Sequence, residues 1–399
     1  MSRSAPPLLF LTGDTAYGVL QRFAHDYADA CTALGRPARL VDIGGAQGAQ
    51  RLVEQLQQPA TAVVGVGGVG ADLAIDGRLL YELARVPYVG LIGDSPAYQP
   101  ARHRIANPYH ALLLSDPDFL ALSRELSPRE ALRGAYRLAL RAPQGTPKPV
   151  AARSYGLVYC KSAGRDREES ARWPSLPRAM RSVLEDVLAV ACWDSERPVW
   201  ELVRERIAAD GVHGGSEQTM AFAFMVMSLD VVIRGRRARR FAEALLPFSE
   251  AVLVGNDWRE LAGATTRATT RATIRPDCDY PTMLALADDA RVVASLQPLT
   301  RHSPQERVIA GMQRGAVVVA DTVDPLTTEL GRTRFRPFSW SDDLSDVIRD
   351  SLVASPEAQA MATEAAAFAR ADRDLNAGAR ALLTTVDQLT ALASISFAA

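Results

Sequence analysis

Short apolar runs recur along this chain, each followed by about 10–15 residues with helical spacing, and that alternation admits little besides parallel α/β sheets. In the first third the runs are LLFLT (8–12), ARLVDI (38–43), TAVVGVG (61–67), VPYVGLIG (86–93) and ALLLSD (111–116), with helices expected over 15–35, 47–57 and 71–84. RAPQGTPKPVAAR (141–153) interrupts both periodicities and marks a linker. SYGLVYC (154–160) restarts the pattern, and a largely helical insertion is expected over about 165–225, with Trp173, Trp193 and Trp200 as packing anchors. Alternation resumes with LDVVIRG (229–235) as a strand, helix 236–246, EAVLVGN (250–256), ATIRP (272–276), helix 280–289, ARVVASL (290–296), helix 304–314 and AVVVAD (316–321). An alanine-rich helical tail covers 356–391. The expectation is an α/β protein of two Rossmann-like domains, 1–150 and 151–399, facing each other across a cleft. The second carries the helical insertion and the C-terminal helices, and a small-molecule site lies at the strand C-termini.

At 399 residues the chain is long for one core. A formal net charge of −1 gives no general attraction to nucleic acid or anionic lipid, so no nucleic acid is expected as a partner. The four cysteines, Cys31, Cys160, Cys192 and Cys278, lie far apart without metal-ligand spacing and read as reduced thiols. The N-terminal apolar run is too short for a signal segment, and MAFAFMVMSLDVVI (220–233) falls short of the roughly 20 residues of a membrane span. A cytoplasmic location is the default expectation, with a peripheral membrane or homo-oligomer contact left open. Only Lys148 and Lys161 are lysines; the arginine bias fits high-GC coding as well as anion chemistry.

The densest constellation is HSPQERVIAGMQRGAVVVAD (302–321). Ser303 and Glu306 have capping-box spacing, with Pro304 suited to the first helical turn. The other reading places Glu306 where a carboxylate accepts both hydroxyls of a nucleotide ribose, with helix N–H groups, His302 and Arg307 turned to phosphates. Gly315 allows a left-handed helix end before the next strand. GVGGVGADL (65–73) follows a strand and opens a helix; Gly67, Gly68 and Gly70 make a weak match to a phosphate loop, against a plain close-packed glycine turn. Asp14, in LTGDTAYG (11–18), is a helix cap or a general base at a strand end. Asp94, in GLIGDSPAYQPARH (90–103), is a turn residue or a second such base. RGRRARR (234–240) is a solvated face or interface, or else Arg234, like Arg259, neutralises a pyrophosphate. No Asp-x-Asp metal site is evident; DCD (277–279) has the letters but precedes a helix.

The stretch from 280 to 331, with AVLVGNDW (251–258) and RSYGLVYCKSAGRDREESARWPSLP (153–177), resembles the donor half of GT-B glycosyltransferases, nearest the bacterial CgeB-like and family-1-like branch. The likeness covers roughly 150–390; the first half matches only as generic α/β. It implies a GT-B fold and transfer of a sugar from a nucleotide-diphosphate donor to a glycan, lipid-linked or protein acceptor, without a metal or other cofactor. Glu306 then holds the ribose, with Gly255, Asn256, His302, Ser303 and Arg307 around the nucleotide. Arg259 or Arg234 meets the phosphates, Gly67, Gly68 and Gly70 line the acceptor side, and Asp14 or Asp94 is the base. The retaining branch carries a further Glu upstream of the ribose Glu, where this chain has Leu299, so an inverting outcome is expected. Two rivals share the fold: a nucleotide-sugar 2-epimerase, against which the scarcity of histidine near strand ends counts, and a non-catalytic binding module.

Overall fold

A computed structural model describes residues 5–13, 15–105, 107, 109–127, 135–138, 141–210, 216–264, 270–297 and 300–396. The chain divides into two compact units, Met1–Pro143 with Arg373–Ala399, and Gln144–Asp372. The first unit contains β1 (Leu8–Thr12), α1 (Val19–Ala33), β2 (Ala38–Asp42), α2 (Gly48–Leu56), β3 (Ala62–Val66), β4 (Ala74–Ile75), β5 (Arg78–Leu79), α3 (Leu80–Ala84), β6 (Tyr88–Ile92), α4 (Pro100–His103), β7 (His110–Leu114), α5 (Pro117–Leu126) and β8 (Ala135–Arg137). Six strands form a parallel sheet in the order β2-β1-β3-β6-β7-β8. The inner strands β3, β6 and β7 are buried along their whole length, as the uninterrupted apolar runs require when helices cover both faces.

The helix expected over 71–84 is largely absent: only α3 forms, after a β4–β5 hairpin. Asp76 (φ 49°) and Gly77 (φ 77°) sit at its tip in the left-handed pair that an Asp-Gly turn supplies, and this local chemistry overrides the helical spacing around it. On β7 the ring of His110 stacks on Tyr88 of β6 at 4.9 Å, in register across the sheet. Among the described residues its two buried ring nitrogens have no hydrogen-bond partner, and nearby His103 shares its Nδ1 with Ser123 Oγ at 2.8 Å.

The second unit contains β9 (Tyr155–Cys160), α6 (Asp166–Arg172), α7 (Arg178–Ala191), α8 (Val199–Ala209), α9 (Ser216–Leu245), β10 (Ala251–Val254), α10 (Trp258–Ala264), β11 (Thr273–Arg275), α11 (Tyr280–Asp288), β12 (Ala290–Ser295), α12 (Glu306–Gln313), β13 (Val317–Asp321), α13 (Asp324–Leu330), β14 (Arg336–Phe338), α14 (Leu344–Leu352) and α15 (Pro356–Asp372). Its parallel sheet runs β11-β10-β9-β12-β13-β14, the 3-2-1-4-5-6 order of dinucleotide-binding sheets, so the strand order reverses between β9 and β12.

The strand expected over 229–235 is instead the middle of α9, one helix of 30 residues. Phe222, Val226, Leu229, Ile233, Arg237, Phe241 and Leu245 are all buried, a single helical stripe running straight through the β-branched patch. Gly235 does not break it; a Cβ there would lie 2.5 Å from that of Asp166, so the glycine lets α6 pack close. Trp173 and Trp200 are buried as expected, but Trp193 is 43% exposed and anchors no core.

The last helix, α16 (Leu375–Ser396), belongs to the first unit, whereas the sequence reading carried the second domain through 399 and began it at 151. α16 lies on α1, where Gly378 faces the Tyr27 hydroxyl and Asp387 pairs with Arg36 at 2.9 Å. Its buried stripe, Leu382, Val386 and Leu389, finds its cover there, and no local signal in an alanine-rich tail says which domain supplies that cover. No helix among the described residues is long and apolar enough to cross a membrane.

Candidate functional site

Lys161 directly follows β9, the strand at the reversal of order, and its backbone is held tightly. Its N–H donates to Val254 O at 2.9 Å and its carbonyl accepts from Trp258 Nε1 at 2.5 Å. Gly255 (φ 151°) is required beside it, because a Cβ would stand 2.3 Å from that same carbonyl oxygen. Asn256 completes the clamp: its N–H donates to Ser162 Oγ at 3.2 Å and its carbonyl accepts from Ala163 N at 3.2 Å. Gly255 and Asn256 therefore shape the turn that presents Lys161.

The half-buried Lys161 side chain shares its surroundings with Arg234 and Asp230 of α9 and with Glu306 and Arg307 of α12. Burial, together with the Arg234 and Arg307 guanidiniums, pushes its ammonium well below the usual lysine range, and the two carboxylates oppose this. Arg234 is steadied by Asp230 at 3.3 Å, one turn back on the helix. Three basic side chains and two carboxylates thus share the surroundings of one strand end.

The start of α12 departs from the capping-box expectation. Gln305, not Ser303, precedes the helix in extended conformation, and its side chain caps no N–H. The Gln305 amide oxygen instead accepts from Arg307 Nη2 at 2.6 Å and from Ser295 Oγ at 3.5 Å. Ser303 is buried and Gln305 is extended, which delays the helix until Glu306. Glu306 is thereby relieved of any capping role; its carboxylate lies 3.6 Å from Arg307 Nη1 and acts on the charge of Lys161. The helix ends as expected, with Gly315 left-handed at φ 68° and Ala316 N–H bonded to Gly311 O at 3.0 Å.

Beneath this lies Asp321, the last residue of β13. It accepts from Gln297 N (2.6 Å) and Trp340 Nε1 (3.0 Å) and stands 3.8 Å from Arg237 Nη1. Burial raises its carboxyl above the usual range, and Arg237 is the largest influence against that.

Of the other expected residues, His302 is half-buried, and Arg259 is exposed on the first turn of α10. Asp14 lies outside the described residues, as does Leu299. Asp94 is exposed just past β6, where the next residue, Ser95, accepts from Ala97 N at 3.4 Å to close a short turn. The glycine run is a packed turn that opens no helix. Gly67, Gly68 and Gly70 have φ of 67°, 72° and 77°, and the carbonyls of Gly67, Val69 and Gly70 accept from Arg102 (2.7 Å), Tyr88 (2.9 Å) and Tyr81 (2.6 Å). The phosphate-loop reading fails for that reason: the next regular element is the β4–β5 hairpin, with no helix N-terminus to face an anion.

Neither a protein-family model nor a curated protein matches the chain. Solved structures do. Sucrose-phosphate synthase from Thermosynechococcus elongatus superposes with a TM-score of 0.55 at 12% identity, covering 97% of this chain and 99% of its own. An alpha-glucosyltransferase in complex with UDP gives 0.54 at 11% identity, over 96% and 100% of the two chains. HepE of Anabaena, in complex with UDP and glucose, gives 0.52 at 14% identity over 96% and 100%. All are glycosyltransferases of one architecture. This is the GT-B fold.

Within this GT-B chain the residue that sequence reading missed is Lys161. A signal existed: it is one of two lysines in an arginine-rich chain and stands directly after a buried strand. The strand order β9–β12, which marks it out, becomes visible only in the folded sheet.

Proposed function

We propose that this protein transfers a sugar from a nucleotide-diphosphate donor to an acceptor hydroxyl or amide on a glycan, lipid or protein, with inversion and without a metal. The observation that carries the proposal is the convergence of Lys161, Arg234 and Arg307 with Glu306 at the point where the strand order of the second sheet reverses. Open α/β sheets bind nucleotides at that point. Arg234 and Arg307, with the N-terminus of α12 and with Lys161 as a hydrogen-bond donor, offset the charge that builds on the departing diphosphate, the task a metal performs elsewhere. Glu306 accepts the two ribose hydroxyls, and a carboxylate, Asp94 or Asp14, takes the acceptor proton as the anomeric carbon opens to oxocarbenium character. Support for a nucleotide-sugar donor comes from neighbours of the same fold whose structures hold UDP.

Thermal shift with UDP, GDP and dTDP tests the donor site. The matching nucleotide stabilises the chain by about 2.7 kcal/mol at 100 times its Kd, and silence from all three refutes a donor site. Glu306→Ala is expected to weaken that nucleotide by about 10-fold or more, and to leave its 2′,3′-dideoxy analogue nearly unchanged. Lys161→Met lowers kcat/KM by about 100-fold. If the dideoxy analogue suffers equally from Glu306→Ala, the ribose role is wrong. Asp94→Asn distinguishes the base by its effect on kcat, and incubating donor without acceptor separates transfer from 2-epimerisation.

A further inference from the structure

At the other end of the second sheet lies a cavity of about 560 Å³, within the ~300–1,000 Å³ that small-molecule sites span. It is bounded by the N-terminal ends of β12 and β13, by Arg153 and Ser154 ahead of β9, and by the α14–α15 connection. Ser154 and Lys161 stand at opposite ends of β9, on the order of 20 Å apart by strand rise. The cavity is therefore separate from the nucleotide site.

Its walls divide by chemistry. Val292, Val317, Leu352, Val353, Pro356 and Ala358 supply an apolar lining. The hydroxyls beside them are turned to backbone: Ser351 Oγ donates to Val347 O at 2.6 Å, and Ser355 Oγ accepts from Ala358 N at 3.2 Å. Val353 is 55% exposed, so the lining reaches solvent at the α14–α15 connection. Two arginines, Arg153 and Arg291, carry the charge of the wall, and among the described residues no Asp or Glu lines it.

The two arginines are held differently. Arg153 is buried and gives Nε, Nη1 and Nη2 to the carbonyls of Lys148, Ala290 and Arg314. Asp288 and Asp289, the carboxylates that act on its charge, pair with Arg314 at 3.2 Å and Lys148 at 2.5 Å. Arg153 is thus a fixed positive charge in the wall. Arg291 donates, among the described residues, through Nη2 alone, to a Glu250 carboxylate that is 52% exposed. A solvent-facing pair of this kind holds weakly, and Nε and Nη1 remain for a ligand. An apolar body gains by leaving water for the lining, and an acidic head gains from Arg291. A cationic head meets two positive charges and no carboxylate.

We propose that this cavity binds a small monoanionic amphiphile, an acyl or aryl carboxylate of medium length, with its body on Val292, Val317 and Leu352 and its head on Arg291. Calorimetric titration of the full chain with decanoate, decanol and decylammonium, each below its micelle concentration, tests it. Decanoate is expected to bind one site per chain at least about 10-fold tighter than decanol, with decylammonium weakest. Arg291→Met should erase the preference for decanoate over decanol. Val353→Asp, at the mouth, should weaken decanoate by about 10-fold. Neither side chain is fully buried, so both variants should keep the urea midpoint of the parent. Equal affinity for the three amphiphiles, saturation by none of them, or decanoate binding that survives both variants overturns the proposal. Adsorption to phosphatidylglycerol vesicles without binding of the monomeric acid also overturns it, making this face a membrane contact instead.

Discussion

Between pH 6.5 and 4 the first unit is expected to lose on the order of several kcal/mol of stability, because two of its core histidines refuse protons that the unfolded chain accepts. His103 and His110 are 2% and 3% exposed, and burial pushes each imidazole down to about 4; Arg102 adds to this for His103 and His103 for His110. The ordinary value is 6.5, so within that window the unfolded state binds more protons and stability falls as pH falls. Above the window both states carry neutral rings and the contribution is flat. Each ring is worth roughly 3 kcal/mol at the acid limit, from 1.36 kcal/mol per pH unit. Asp26, whose carboxyl is raised by burial, works in the opposite sense and so does not cause the loss. Urea unfolding followed by far-UV circular dichroism at a series of pH values measures it. Tryptophan emission is an internal control, since Trp173, Trp193, Trp200, Trp258 and Trp340 all belong to the second unit. His110→Phe, which keeps the stack on Tyr88, should remove about half of the slope. A first unit equally stable at pH 7 and 4.5 would show that these rings take up protons freely.

Replacing Arg237 by methionine is expected to destabilise the second unit by about 3–5 kcal/mol, although the side chain lies in an otherwise apolar stripe. Its guanidinium is 2% exposed and performs two tasks at once. Nε donates to Cys192 O at 2.9 Å and Nη2 to the carbonyls of Ala191 and Asp194, both at 3.1 Å, so a positive charge closes the C-terminal end of α7. Nη1 faces Asp321, whose carboxylate is otherwise buried with only neutral donors. Methionine fills the volume but strands the helix carbonyls and the carboxylate together. Lysine does not rescue it, because a single ammonium cannot reach carbonyls and carboxylate along the directions the planar fork serves. The double variant Arg237→Met, Asp321→Asn should recover part of the loss. Tryptophan-detected urea midpoints report this directly, since Trp340 touches both partners. A single variant within about 1 kcal/mol of the parent would mean that the pair is dispensable.

Much of the architecture was readable before folding. The apolar runs at 8–12, 61–67, 86–93, 250–256, 290–296 and 316–321 each contain a parallel strand, because a strand covered on both faces has to be apolar throughout. Reading failed where two local signals competed. LDVVIRG has the composition of a strand, yet its neighbours extend one helical stripe, and a continuous buried face across 30 residues outweighs a short β-branched patch. In ADLAIDGRLLYEL helical spacing competes with an Asp-Gly pair, and that pair specifies the hairpin. At Ser303 a capping pattern is present, but the helix begins later, because Gln305 is still extended and the serine is buried.

From order and spacing alone, this polypeptide was bound to make two parallel α/β sheets and to place a carboxylate, Glu306, at the first turn of a helix after a buried strand. Folding decided which strands became neighbours, and so that Lys161, Arg234 and Arg307 share one strand end with that carboxylate. It also decided that the final helix packs on α1. The physical reason is range. Hydrophobic period and turn chemistry act over a few residues and are written locally, whereas strand order and the gathering of like charges depend on contacts between segments tens to hundreds of residues apart.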